Sequence, residues 1–229
     1  MRESMDLLCQ SPLFQGMGRQ DLDQMLPCLG SRTLKAQRGE LIFRAGEPAR
    51  WVGLVLTGGV HVIQEDYYGK RNILATIQPP ELFGEAFASA GVEALPVSVE
   101  AAQDSQVLLL DCQRVIHTCS DACIFHQRLA ANLLKIVARK NLMLTRKLAL
   151  LSKRTTKEKL MAYLMEQARL AGSDAFTLPY DRQTLADYLG VDRSAMSAEL
   201  SKLRRAGLLE CKGRNVRLQK PIPPQRKKE

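Results

Sequence analysis

Four residues near the C-terminus have types and spacings suited to reading DNA bases. Arg193, Ser194, Ser197 and Ala198 fall on one face if this stretch is a helix. An arginine at the start of such a helix can donate two hydrogen bonds to O6 and N7 of guanine. Small neighbours let the helix approach the floor of the major groove. The pattern therefore predicts a recognition helix.

The surrounding residues predict the fold that would hold this helix. Leu200 and its apolar neighbours lie on the opposite face and are expected to pack on the preceding helix. Asp181 and Asp192 are expected to cap the two helices at their N-termini, and Gly190 and Gly207 to end them. Thr155 begins a capping-box motif for an earlier helix that runs to about residue 172. Two short helices joined by a glycine turn form a helix-turn-helix, and a basic hairpin at 208–218 would be its wing.

Charge supports a nucleic-acid partner for this segment. The net charge is +9, and residues 152–229 hold 17 Lys and Arg against 9 Asp and Glu. A basic segment joined to a nearly neutral one is typical of nucleic-acid binding. The alternatives are a solvated basic surface, or a winged fold used for protein contacts. The residues predicted to contact DNA phosphates are Arg182, Gln183, Lys202, Lys212 and Arg214.

Residues 32 to 111 have a different sequence pattern, with short apolar runs separated by Gly and Pro. This spacing predicts an all-β barrel or jelly roll. His61 alternates with Val60 and Val62, so it either faces solvent or lines the pocket of the barrel. Taken together, the chain is expected to be an α+β protein with an N-terminal β-barrel, a long dimerisation helix and a C-terminal winged helix-turn-helix.

From about residue 121 to 151 there is no Gly or Pro, which predicts one helix about 45 Å long. Such a helix exceeds what a small barrel needs for cover, so part of it is expected to pack on a second copy. The alternative is a helix packed only on its own barrel. The predicted contact residues are Leu133, Val137, Asn141, Leu144, Leu148 and Leu151. The resulting domains are 1–120, 121–151, 152–220 and a disordered basic tail at 221–229.

Metal or enzyme chemistry has weaker support. His117, Cys119, Cys123 and His126 could form a zinc or redox set, although small buried thiols are the commoner outcome. A metal is therefore not expected, and no cofactor is assigned. Nucleophile-elbow, P-loop and zinc-protease motifs are absent, so we do not expect an enzyme. No apolar run is long enough to span a membrane, and the N-terminus does not match a signal peptide, so a cytoplasmic protein is expected.

The chain resembles the Crp/Fnr regulators along nearly its whole length. The barrel residues that carry the resemblance are Gly39-Glu40, Phe43, Gly46, Leu56, Gly58, Val60 and Phe83-Gly84-Glu85. Those in the C-terminal part are Arg182-Gln183, Leu185-Ala186, Tyr188-Leu189-Gly190-Val191 and Arg193-Ser194. The resemblance implies a homodimer that binds a palindromic site in double-stranded DNA, with a small-molecule effector in each barrel. RNA polymerase is a further expected partner.

Departures from the family pattern bear on the effector. Leu95 and Pro96 stand where cyclic-nucleotide-binding members have an Arg and a Ser for the phosphate. An anion without that cation would be costly to bury, so cyclic AMP is not the expected ligand. The N-terminal region also lacks the cysteine cluster of the oxygen sensors. We expect a small, largely apolar or weakly acidic effector, or a redox signal. The predicted pocket residues are His61, Phe83, Gly84, Glu85, Leu95 and Pro96.

Overall fold

The computed structural model describes residues 2–68, 71–117 and 124–219. Contacts between Cα atoms divide the chain into two compact units, Met1–Lys140 and Asn141–Glu229. The division falls inside the long helix, which is α5 in the numbering below.

The first unit contains the predicted jelly roll, built from two four-stranded antiparallel sheets. One sheet has the order β1-β8-β3-β6 and the other β2-β7-β4-β5. The strands are β1 (Arg32–Ala36), β2 (Leu41–Phe43), β3 (Trp51–Thr57), β4 (Val60–Glu65), β5 (Arg71–Ile77), β6 (Leu82–Phe83), β7 (Ser98–Ala101) and β8 (Ser105–Asp111). The expectation of short strands over residues 32–111 is confirmed.

The uninterrupted apolar runs in β3 and β8 are explained by burial on both faces of their sheet. Val55 and Val107 point toward the second sheet and pack with Phe43 of that sheet and with Phe83 of their own. Leu54, from the other face of β3, packs against helices instead. The strand therefore has no face that requires polar residues. Gly53 belongs to this arrangement, because a Cβ there would overlap the Phe83 ring.

Helices cover the outer face of that sheet. They are α1 (Arg2–Gln10), a 3-10 turn (Pro12–Phe14), α2 (Arg19–Cys28), α3 (Glu85–Ser89), α4 (Cys112–Ile116) and α5 (Ile124–Leu151). Pro12 is the first residue of the 3-10 turn, and Pro27 lies inside the last turn of α2. Asn132 of α5 donates hydrogen bonds to the carbonyl oxygens of Leu13 and Gln15, 3.0 Å each. This buried amide fixes the 3-10 turn to α5.

The assignment of Leu133 to the predicted dimer contact was wrong. Leu133 is 3% exposed and packs in the core of its own unit, and Val137 is partly buried there. Its neighbour Leu134 is 71% exposed. The error arose because adjacent residues lie about 100° apart on a helix, so a stripe shifted by one residue faces a different surface.

The second unit has the predicted winged fold. Its elements are α6 (Thr156–Ala171), β9 (Ala175–Thr177), α7 (Arg182–Leu189), α8 (Arg193–Arg205), β10 (Leu209–Lys212) and β11 (Asn215–Leu218). The predicted caps are confirmed: the Asp181 and Asp192 carboxylates accept from backbone amides, and Gly190 takes the left-handed conformation. Strand β9 was not anticipated, because three residues give little sequence signal and pairing with β11 stabilises them.

No helix among the residues that the structure describes is long and apolar enough to cross a membrane.

Candidate nucleic-acid interface and effector cavity

Helix α8 has the two faces that its sequence predicts. Met196, Leu200 and Leu203 are buried against Leu185 and Leu189 of α7. The opposite face stays open: Arg193, Ser194 and Ala198 are exposed and Ser197 is half-buried. The Ser194 hydroxyl donates to the Asp192 carboxylate, the cap of the helix. Ser194 is thus oriented by the cap.

Some of the residues predicted to contact phosphates are hydrogen-bonded or ion-paired within the unit, and others are exposed. The Arg182 guanidinium donates to the Cys211 sulfur at 2.8 Å and to the Gly213 carbonyl at 3.1 Å, which fastens α7 to the wing. Gln183 is hydrogen-bonded to Asp187, and Lys202 is paired with Glu199. Lys212 and Arg214 are exposed in the wing. Sequence reasoning missed Arg204, Arg205 and Arg217, which line a groove with the wing strands.

The carboxylate that caps α8 makes the stability of the folded unit depend on pH. Hydrogen bonds from Ser194 and Ala195 hold the pKa of Asp192 below its ordinary value. The charged cap therefore stabilises the fold fully above the unfolded pKa of about 3.9, and the contribution is lost as pH falls through the lower folded pKa. Asn also caps helices but does not titrate in this range.

We therefore expect Asp192→Asn to be less stable than the wild type at neutral pH, with a difference that closes as pH falls below about 3.9. Urea unfolding followed by far-ultraviolet circular dichroism at several pH values measures it. Asp174→Asn, in the loop before β9, is the matched control. A difference that stays constant with pH would contradict the titrating cap.

The barrel contains a cavity of about 290 Å³ at the end where β3 begins. Gly84 and Leu95 line it, as predicted. Gly84 has φ +76°, and a Cβ there would lie 2.9 Å from the Phe43 ring. The positive φ and this close approach therefore favour glycine at this position of the cavity wall.

Two arginines and the single tryptophan also line the cavity, and sequence reasoning missed them. The guanidinium carbons of Arg32 and Arg50 lie 4.3 Å and 4.8 Å from the centroid of the Trp51 ring. Arg50 also donates to the buried Asp111 carboxylate at 2.7 Å and 2.9 Å. The inference that the pocket lacks a cation was therefore wrong, because it considered only the stretch after Gly84-Glu85. The pairing of β1 with β8 could not be foreseen from that stretch.

Other predicted pocket residues lie elsewhere. His61 is on the outer face of the sheet, where its Nδ1 is 3.0 Å from the Thr76 hydroxyl, because Val60 and Val62 face inward. Pro96 is exposed. Phe83 is buried in the core beside the cavity, 5.2 Å between ring centroids from Phe43. These three assignments are corrected.

Glu85 is engaged by the long helix. Its side chain is 5% exposed, and its carboxylate lies 2.6 Å from the ammonium of Lys140. The same ammonium donates to the carbonyl oxygen of Leu82 at 2.9 Å. Lys140 thus connects α5 to both sides of Gly84 through two acceptors.

The predicted metal or redox set is only partly described. Cys119 and Cys123 lie outside the described residues. His117 is hydrogen-bonded to Gln113 at 3.0 Å, and His126 is buried with no partner for Nδ1. Among the described residues, no three potential ligands come together.

Two protein families match this chain in tandem. The cyclic nucleotide-binding domain matches residues 33–121, and the Crp-like helix-turn-helix domain matches residues 158–221. The chain belongs to the Crp/Fnr family. It is a transcriptional regulator with a sensory domain of the cyclic-nucleotide-binding type and a helix-turn-helix DNA-binding domain.

Two curated relatives that this Crp/Fnr regulator resembles are named as transcriptional activators. Transcriptional activator protein FnrA of Stutzerimonas stutzeri is 26% identical, over 88% of this chain and 82% of its own. Transcriptional activator protein anr of Pseudomonas aeruginosa is 24% identical, over 80% and 74%. The catabolite activator protein of Thermus thermophilus shares the fold, with TM-score 0.54, 24% identity and coverage of 91% and 94%.

Proposed function

We propose that this Crp/Fnr regulator acts as a homodimer on a palindromic DNA site and that an effector in the barrel controls it. The observation that carries the proposal is the open face of α8, where Arg193 and the small residues beside it are exposed above a buried opposite face. In this arrangement Arg193 reads bases, with Ser194, Ser197 and Ala198 beside it.

The phosphate contacts support this docking. Lys212 and Arg214 in the wing contact phosphates directly, and Gln183 and Lys202 do so after exchanging their intramolecular partners. Arg182 acts mainly by holding the wing in place. The protein is cytoplasmic, and RNA polymerase is the partner through which it acts on transcription.

The effector is a small molecule other than cyclic AMP. The cavity of about 290 Å³ is small, and Leu95, which by the family resemblance stands where cyclic-nucleotide-binding members have an arginine for the phosphate, lines it. Glu85 is already paired with Lys140, so a ligand has to compete for it. The guanidiniums of Arg32 and Arg50 give the cavity a means to hold a carboxylate or another anion. A redox signal through Cys119 and Cys123 is the second candidate, supported by the orphaned Nδ1 of His126 nearby in sequence.

Recovery of bound fragments from a random duplex pool tests DNA reading, and Arg193→Ala tests its main residue. We expect this variant to relax sequence preference at one base position, since a bidentate arginine–guanine contact is worth roughly 1–3 kcal/mol. Lys212→Ala should instead weaken binding to all sequences about equally.

If the wild type and Arg193→Ala enrich the same half-site with equal stringency, Arg193 is not a reader. If the wild type shows no salt-dependent binding to duplex DNA, the alternative applies, namely a ligand-binding module that acts through protein partners.

A further inference from the structure

The lining of the barrel cavity combines two cations with an apolar part. The guanidinium carbons of Arg32 and Arg50 lie 4.3 Å and 4.8 Å from the centroid of the Trp51 ring, so both cations meet one ring. Contact with an aromatic face restrains a guanidinium that is otherwise mobile. Phe43 and Leu95, both buried, belong to the apolar lining. A ligand that matches this cavity has a negative group and an apolar body.

Arg50 is held in place by residues at the start of α4. Its Nε and Nη2 donate to a single oxygen of Asp111, Oδ2, at 2.9 Å and 2.7 Å. The other oxygen of Asp111 accepts from the Gln113 amide at 3.1 Å, which fixes the carboxylate. The Cys112 amide donates to the Arg50 carbonyl oxygen at 3.1 Å. Nη1 of Arg50 forms no hydrogen bond with the described residues, so Asp111 orients Arg50 and leaves one nitrogen for a ligand.

Arg32 is not engaged in this way. Its guanidinium is exposed and has no hydrogen-bond or ion-pair partner in the part of the chain that the structure describes. The pair with Asp111 gives Arg50 a structural role, but it does not explain a second guanidinium on the same ring. Two like charges so placed repel each other, and a bound anion removes that repulsion.

The charges of the site select the charge of the ligand. Arg32 and Arg50 carry two positive charges, and Asp111, whose side chain is 7% exposed, carries one negative charge. One monoanion neutralises this set, whereas a dianion leaves a surplus negative charge beside buried apolar side chains, which is costly. The exposed Glu47, which also lines the cavity, adds to the repulsion of a dianion. The volume of about 290 Å³ is at the lower end for small-molecule sites.

We propose that the barrel cavity binds a small monocarboxylate with an apolar body, and that Arg32 and Arg50 hold its carboxylate. Guanidiniums donate parallel hydrogen bonds that match the two carboxylate oxygens. Asp111 is the positioning residue for Arg50, and the apolar body packs on Phe43 and Leu95. The proposal rests on the proposed effector control of this regulator and narrows the effector from any anion to one charge and one kind of body.

Calorimetric titration of the full chain with hexanoate, benzoate and their neutral amides tests the ligand class. We expect both carboxylates to bind at millimolar concentration or below, and the amides to bind at least roughly tenfold more weakly, because they lose the hydrogen bonds to a charged group. Adipate, which adds a second carboxylate to hexanoate, should bind more weakly than hexanoate. Equal affinity for carboxylates and amides overturns the proposal, and so does absence of carboxylate binding at millimolar concentration.

Replacing Arg32 locates the carboxylate. Arg32→Gln should lower the affinity for hexanoate at least roughly tenfold and abolish its advantage over hexanamide. The free energy of unfolding should change little, since the guanidinium has no partner among the described residues. Arg44→Gln is the matched control, because Arg44 is an exposed arginine directly after β2 and outside the cavity lining. If Arg32→Gln still distinguishes hexanoate from hexanamide, the proposed site is wrong.

Two further variants test the charge selection. Asp111→Asn and Glu47→Gln each remove one negative charge, so the preference for hexanoate over adipate should shrink or reverse. A purely structural role of Asp111 predicts lower stability without any gain for the dianion. Glu47 is exposed, so Glu47→Gln gives the answer even where Asp111→Asn does not fold. An unchanged preference in the folded variants overturns the selection of a monoanion.

DNA binding separates this proposal from the proposed function. Hexanoate or benzoate is added to the wild type and to Arg32→Gln on duplex DNA selected by the wild type. A change in DNA affinity in the wild type, but not in Arg32→Gln, supports both proposals. If the carboxylates bind with the expected discrimination and DNA affinity stays the same, the carboxylate site stands and effector control through the cavity fails.

Discussion

Replacing Lys140 with methionine is expected to lower the free energy of unfolding of the barrel unit by about 3 kcal/mol, the lower end of the range for removing one partner of a buried ion pair. The reason is the environment of Glu85, whose side chain is 5% exposed and whose carboxylate would lose its ammonium partner. The lower end applies because the Lys140 side chain is 40% exposed, so water reaches part of the site. Urea unfolding followed by Trp51 fluorescence measures it, since Trp51 is the single tryptophan and belongs to the barrel.

Two further variants separate the ion pair from its surroundings. Lys135→Met is the matched control, because Lys135 is an exposed lysine on the same helix. Combining Lys140→Met with Glu85→Met should recover most of the loss, since two apolar residues replace a charge pair without leaving a buried charge. If the double variant is as unstable as Lys140→Met alone, packing of the lysine stem and not its charge explains the loss.

The same pair bears on regulation. Lys140 joins α5 to Leu82 and Glu85, on either side of Gly84, and Gly84 lines the cavity. A ligand that competes for Glu85 would release this attachment of α5. Effector binding would then change how α5 is held, with a free energy limited to the difference in ligand affinity between the two states.

Local signals explain why the second unit was predictable. Its helices α7 and α8 are capped by Asp181 and Asp192, and its turn contains a left-handed glycine, Gly190; these signals can be read from the sequence. The jelly roll was also predictable, because its strands are short and separated by glycine and proline. Strand β9 could not be predicted, since it depends on its pairing with β11, far along the chain.

The cavity was harder to predict than the recognition helix. The reading face of α8 comes from one continuous segment, so spacing alone defines it. The cavity instead gathers Arg32, Arg50 and Gly84 from three segments, and only the strand pairing brings them together. For the same reason the alternation around His61 left two orientations open, and the sheet itself decided between them.

Dimerisation through α5 is expected to be lost when Leu144 and Leu148 are both replaced by glutamate. Leu134, Val137, Asn141, Leu144, Leu148 and Leu151 follow one another at spacings of three and four residues, the heptad pattern of a coiled coil. Leu144 and Leu148 are 58% and 67% exposed in the isolated chain, and they would be buried by a second copy. Asn141 would occupy one seam position, where a polar residue sets register.

The expected loss is large. A buried leucine is worth about 1.5–3 kcal/mol, and the double change removes four of them per dimer, so the dissociation constant should rise at least roughly 10⁴-fold. Size-exclusion chromatography with light scattering at micromolar concentration would then find a monomer where the wild type is a dimer. Leu142→Glu/Met143→Glu is the matched control: these residues are 57% and 60% exposed but lie off the heptad seam. If the control dissociates the dimer and the seam variant does not, a different face of α5 joins the two copies. If the wild type itself is a monomer at that concentration, the homodimer proposal fails.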